Sequence, residues 1–350
     1  MRKFAINGRA IGPGDPPYIV AEMSANHNGD IARAFAIIDM AAEAGADAVK
    51  MQSYTPDTIT IDHDGPGFRI SGGLWDGETL YSLYRKAFTP FEWHAPLFAH
   101  AARRGVTLFS APFDPSAVDL LESLGNPAYK IASLELVDLP LIARVARTGK
   151  PIVMSTGTAS LGDIEAALST ARGAGARDIA LLYCVSGYPT PVEEINLNTM
   201  VDMARRFDAT VGLSDHSMGV TVAIAATALG AAIIEKHVTL ARADGGPDSS
   251  FSLEPQELAA LVRETRAAHA ALGQVGYELK PSETANAQFK RSLYAVADIA
   301  AGETLTPANV RSIRPGFGLA PRHLPDVLGR AARQAIARGT PLSWDLVADK

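Results

Sequence analysis

One cysteine, Cys184, stands in 350 residues, so no intrachain disulfide can form and the fold must hold by burial alone. No apolar run reaches the ~20 residues of a membrane span. The longest, Val220 to Ile234, is divided by Gly230 and reads as a buried helix followed by a strand. There is no excess of positive charge: 32 Lys and Arg against 38 Asp and Glu leave a net −6. That argues against general nucleic-acid binding, though not against a local basic pocket. The opening MRKFAINGR has no apolar signal-peptide core, and a soluble cytoplasmic protein is expected. Two phosphate-binding fingerprints are also missing, GxGxxG after the first strand and the Walker A loop.

What the sequence does contain is a repeat. Eight short apolar segments alternate with amphipathic ones such as DIARAFAIIDMAAEAG. They are residues 18–24, 48–54, 107–113, 128–133, 151–157, 179–185, 210–217 and 232–239. Helices stop at Gly45, Gly105, Gly125, Gly149 and Gly230, the usual C-terminal punctuation. Strict strand–helix alternation implies a parallel sheet with helical crossovers, and eight units in about 250 residues fit a closed (β/α)8 TIM barrel. A doubly wound open sheet is the alternative. After residue 273 the pattern changes to a polar link, 274–288, and then to short strands with Gly and Pro turns, 289–350, read as a small β-rich module.

Each strand begins apolar and turns polar at its C-terminal end. Those ends supply Glu22, Lys50 with Gln52, Ser110, Lys130 with Ser133 and Glu135, and Ser155 with Thr156. Ser186 and Tyr188 follow the sixth strand. The last two give Ser214, Asp215 and His216, then Glu235, Lys236 and His237. Singly, each has an ordinary explanation: a rim lysine, a helix-capping hydroxyl, a hydrogen-bonded core histidine. Together they converge where barrels of this kind place their active sites. His216 and His237 close neighbouring strands about 5 Å apart and can share one divalent ion. The lysines and hydroxyls suit a phosphate or carboxylate.

The motifs AEMSANHNGD, DAVKMQSYTPD, YKIAS-LE, MSTGTAS, GLSDHS, EKHVT and GPDSSFS resemble those of the sialic acid synthase family. The tail SLYAVADIAAGETLTPANVRSIRPGFGL resembles the antifreeze-like (SAF) module of those proteins. ETLYSLYRKAFTPFEWHAPLF, AEMSANHN and Ser133-Leu134-Glu135 are similar to the pseudaminic acid synthase branch.

The resemblance implies condensation of phosphoenolpyruvate with the open-chain aldehyde of an N-acetylated aminosugar, releasing phosphate and giving a nine-carbon 2-keto acid. In that branch the acceptor is 2,4-diacetamido-2,4,6-trideoxy-L-altrose. By the same resemblance, Lys50, Lys130, Ser110, Ser133, Ser155, Ser186 and Ser214 contact phosphoenolpyruvate. Glu22, Gln52, Tyr188 and Asp248 face the sugar, and Glu135, with Glu22 and Lys50, lies at the reacting centre. His216 and His237 hold a metal, expected to be manganese, and Arg314 reaches the other subunit's site in a domain-swapped homodimer. Two positions depart from the family pattern: Ala111 stands for Thr in STPF, and Ser186 stands where Asn is frequent. Rival readings are an N-acetylneuraminate or legionaminic acid synthase, a 3-deoxy-heptulosonate phosphate synthase, and an ice- or carbohydrate-binding protein.

Overall fold

The computed structural model describes residues 3–349. It opens with a short antiparallel hairpin, β1 (Phe4–Ile6) and β2 (Arg9–Ile11). Eight parallel strands follow: β3 (Tyr18–Glu22), β4 (Ala48–Ser53), β5 (Thr107–Pro112), β6 (Tyr129–Ile131), β7 (Ile152–Ser155), β8 (Ile179–Cys184), β9 (Thr210–Asp215) and β10 (Ile233–His237). β10 pairs with both β9 and β3, so the sheet closes into the expected barrel.

The helices between strands form where the sequence punctuates them. The helix Ile31–Ala44 starts at Asp30, whose side chain accepts from the Ala32 N–H, and stops at Gly45 with φ 82°. A side chain at Gly45 would carry the left-handed penalty there. Apolar side chains on the outer strand faces, such as Ile19, Val49, Met51 and Leu213, pack against the helices as the main core. Inward-facing residues form a second cluster. Tyr18, Val20, Phe109, Val153, Leu182 and Ile233 meet Phe4, Ile6 and Ile11 of the hairpin, which fills the N-terminal end of the barrel.

Strand alternation decides which polar ends enter the barrel. In the observed register Glu22 lies beside Lys50 and His237, and Ser214 lies beside Glu235. Asp215 and Lys236 share the opposite face. There they form a buried 2.8 Å ion pair, and the ammonium also donates to the Ser217 carbonyl at 2.6 Å.

The chain divides into two compact units, Met1–Gly273 and Gln274–Lys350. In the second, Pro281–Phe289, which overlaps the expected polar link 274–288, takes up 3-10 turns. β11 (Ser292–Ala295) and β12 (Val310–Ile313) pair antiparallel over a small core that includes Leu293, Leu305, Val310, Ile336 and Leu342. Among the described residues no helix is long and apolar enough to cross a membrane.

Candidate active site

A cavity of about 220 Å³ opens at the C-terminal ends of the barrel strands. Its floor is a buried ionic cluster centred on Glu235. Glu235 Oε1 accepts from Lys50 Nζ at 2.9 Å, Lys130 Nζ at 3.0 Å and Ser214 Oγ at 3.1 Å. Lys50 also lies 3.1 Å from Glu22 Oε2.

Burial alone would discharge all of these groups, and the pairing decides which keep their charge. For Glu235, burial favours the acid form, but Lys130 and Lys50 overcome it and hold the carboxyl well below its ordinary range. Burial works against the Lys50 ammonium too, and Glu22 and Glu235 outweigh it, so Lys50 stays protonated. Lys130 has one carboxylate partner and a lysine neighbour, and burial pulls it down to about 8. Glu22 is pushed up by burial. Two lysines thus converge on one oxygen of Glu235, with Glu22 beside Lys50 alone.

Around this floor stand hydroxyls that lack partners. Ser155 Oγ and Ser186 Oγ are buried with no hydrogen bond among the described residues, a condition that a bound oxyanion would relieve. Ser133 accepts from the Gly157 N–H at 3.1 Å. Gly157 is required at that point: a Cβ there would sit 2.2 Å from Ser186 Oγ and 2.8 Å from Ser133 Oγ. Glu135, on the turn Ser133–Val137, lines the cavity, and burial raises its carboxyl to about 7.

A second polar group lies beside the histidines. Gln52 Nε2 donates to Glu22 Oε1 at 3.2 Å and to Ser24 Oγ at 3.1 Å, and Ser24 donates a short hydrogen bond to Asp248. His216 and His237 rings lie 5.3 Å apart. His216 Nδ1 bonds the Val185 carbonyl at 3.0 Å, which leaves Nε2 as the lone-pair nitrogen. His237 Nδ1 is buried without a hydrogen bond, 3.9 Å from Asp248 Oδ2. Burial, and then the neighbouring His216, hold His237 far toward its neutral form. Two imidazoles with a carboxylate close by, one of them held toward its neutral form, fit a divalent cation that leaves open positions. Tyr188 packs against His216 at 4.5 Å and against Phe251 at 5.3 Å.

Most of the barrel residues given a substrate or metal role from the sequence share this one mouth; Ser110 does not. Ser110 is corrected: it pairs with Met51 on the outer face of the barrel. Its hydroxyl donates to the Met51 carbonyl at 3.0 Å and meets Ser53 Oγ at 2.6 Å, which in turn contacts His94 Nε2 at 2.7 Å. It ties β4 and β5 to the helix Phe91–Arg104 and faces no substrate. Ala111 is the inward residue there. Arg314 lies in the second unit, exposed, directly after β12.

Three contributors were missed. Glu235 was named as a strand end but given no role, although its parity with His237 marks it as inward. Ser24 bridges Gln52 and Asp248. Trp75, in the Gly-rich segment 60–79, donates Nε1–H to the Pro247 carbonyl at 3.0 Å and packs 5.7 Å from Tyr188. No periodicity signals a residue in such a loop.

The fold and this mouth define a (β/α)8 barrel enzyme whose floor is lined by lysines and hydroxyls beside two histidines. The model of the NeuB family matches residues 37–277, and that of the SAF domain matches residues 290–348. The chain belongs to the NeuB family. It is 44% identical over 331 residues to the pseudaminic acid synthase of Helicobacter pylori, covering 94% of this chain and 97% of that one. A pseudaminic acid synthase of Campylobacter jejuni is 41% identical, covering 93% and 95%. Among solved structures, an N-acetylneuraminic acid synthetase of Leptospira borgpetersenii, in complex with citrate, superposes with a TM-score of 0.73 at 32% identity. That match covers 81% of this chain and 95% of the other.

Proposed function

We propose that the chain condenses phosphoenolpyruvate with 2,4-diacetamido-2,4,6-trideoxy-L-altrose, as a pseudaminic acid synthase. The observation that carries this reading is the 44% identity to the H. pylori enzyme along almost the whole of both chains. The floor supports it. Lys50 and Lys130 offer ammonium groups to the carboxylate and phosphate, and Ser133, Ser155, Ser186 and Ser214 add hydroxyls. Glu22, Gln52, Tyr188 and Asp248 face the acceptor.

In the reaction, C3 of phosphoenolpyruvate attacks the aldehyde carbon and forms the new C–C bond. The aldehyde oxygen takes up a proton from water as the bond forms. The oxocarbenium left at C2 adds water, whose proton passes to Glu135. A carboxyl titrating near 7 is suited to take a proton and return it. The tetrahedral C2 then expels phosphate by C–O cleavage and becomes the ketone. His216 and His237 would hold the divalent ion, manganese being the expectation, and such an ion polarises a carbonyl oxygen as a Lewis acid.

Phosphate release with a panel of aminosugars tests the assignment. The trideoxy-altrose acceptor is expected to exceed N-acetylmannosamine by at least about tenfold in kcat/KM, a difference of ~1.4 kcal/mol. The reverse ranking would move the chain to the sialic acid branch.

The reading also includes a homodimer in which Arg314 serves the partner's mouth, its guanidinium fork meeting an acyl carbonyl. Mixing Arg314→Ala chains with His216→Ala chains is then expected to restore part of the wild-type activity, because one site per mixed dimer carries neither defect. No recovery, with mixed dimers shown to form, would refute action in trans.

A further inference from the structure

Part of the cavity lining has a different chemistry from the floor. Tyr54, Ile59, Leu83, Tyr84, Ala87 and Phe113 form a wall of aliphatic and aromatic carbon whose only side-chain polar atoms are the two phenol hydroxyls. Leu83, Tyr84 and Ala87 come from one helix, Leu80–Ala87, at spacings that share a face. None of that helix's residues is fully buried, so packing against the barrel does not use up this face. The wall is nonetheless held firmly. Tyr54 meets Tyr84 edge to face at 5.7 Å and Phe113 at 5.1 Å. A capping box between Thr79 and Ser82 fixes the helix start, and Tyr81 donates to Asp57 at 3.1 Å.

We propose that this wall is the subsite for the methyl-bearing end of the acceptor, and that it selects a deoxygenated terminal carbon over a hydroxymethyl group. The proposal rests on the condensation proposed above and names the feature of the acceptor that is read. Ile59, Leu83, Ala87 and Phe113 offer no side-chain hydrogen-bond donor or acceptor. A hydroxyl placed against them would lose its water without replacement. The acetamido groups carry an N–H and a C=O that need polar partners, so they belong with the polar residues of the mouth. The C6 methyl is the one substituent with no polar atom.

The test compares the trideoxy sugar with its counterpart hydroxylated at C6 only. The wild type is expected to favour the deoxy sugar by about 10- to 100-fold in kcat/KM, the range an apolar pocket achieves against an added hydroxyl. Ala87→Ser, which adds a hydroxyl to the wall, is expected to shrink that preference by about fivefold, the worth of one hydrogen bond, with KM for phosphoenolpyruvate unchanged. Leu83→Ala is expected to cost the deoxy sugar more than the hydroxylated one. Equal turnover of both sugars by the wild type overturns the proposal and leaves the condensation intact. Turnover of neither refutes the condensation itself. N-propanoyl acceptors supply the last arm: if Ala87→Ser changes acyl preference and not C6 preference, the wall holds an acyl methyl and the proposal fails.

Discussion

Glu235→Gln is expected to lower kcat/KM for phosphoenolpyruvate by at least about 10³ and to cost roughly 3 kcal/mol of stability. One oxygen of Glu235 receives Lys50, Lys130 and Ser214 together, all buried. The amide keeps the shape and loses the charge. Lys50 then keeps only Glu22, and Lys130 is left with no carboxylate partner. Lys130, already drawn down to about 8, shifts lower still and is neutral at pH 7. The anion site therefore loses a charge when its counter-charge is removed. Kinetics and a thermal melt measure the two effects. Glu235→Gln combined with Lys130→Met separates them, because deleting the stranded partner should recover much of the stability and none of the activity. An unchanged KM and Tm in Glu235→Gln would show that the cluster is neither a phosphoenolpyruvate floor nor a structural knot.

The second large effect is expected at the histidines. His216→Ala and His237→Ala should each reduce turnover by about 10³ or more while the circular dichroism spectrum stays that of wild type. Chelation should inactivate the wild type, and Mn²⁺ should restore it. Bound manganese, counted by electron paramagnetic resonance, should fall from one ion per barrel to none in either variant, a readout independent of turnover. The basis is the geometry of two adjacent imidazoles, one with its Nδ1 bonded to the Val185 carbonyl and the other with an unsatisfied buried nitrogen. Full activity of metal-stripped enzyme would end this assignment.

The barrel was legible because its signal is redundant. Eight apolar segments, each followed by an amphipathic one, leave few topologies, and the observed strands fall inside the segments read from sequence. The polar strand ends were legible for the same reason. Their facing was harder. In AIIEKHVT, three ionisable residues stand in a row, and only period-two parity separates the inward Glu235 and His237 from the outward Lys236. In TLFSAPF the residues are small or apolar throughout, so nothing local says that Ser110 turns outward. The register with Met51 decides it. Trp75 and Ser24 act through contacts with residues about 170 to 220 positions away, which no local pattern encodes.

The β1–β2 hairpin has a consequence for traffic. Phe4, Ile6 and Ile11 pack among the inward side chains and plug the far end of the barrel, so substrates reach the chamber from the C-terminal mouth. On the proposed reading the phosphate ligands lie deepest and the sugar contacts lie nearer the rim. The three-carbon substrate must then enter ahead of the aldose, and inorganic phosphate waits behind the bulky product until that product has left. Entry through that mouth thus imposes a queue, last in and first out, on every turnover.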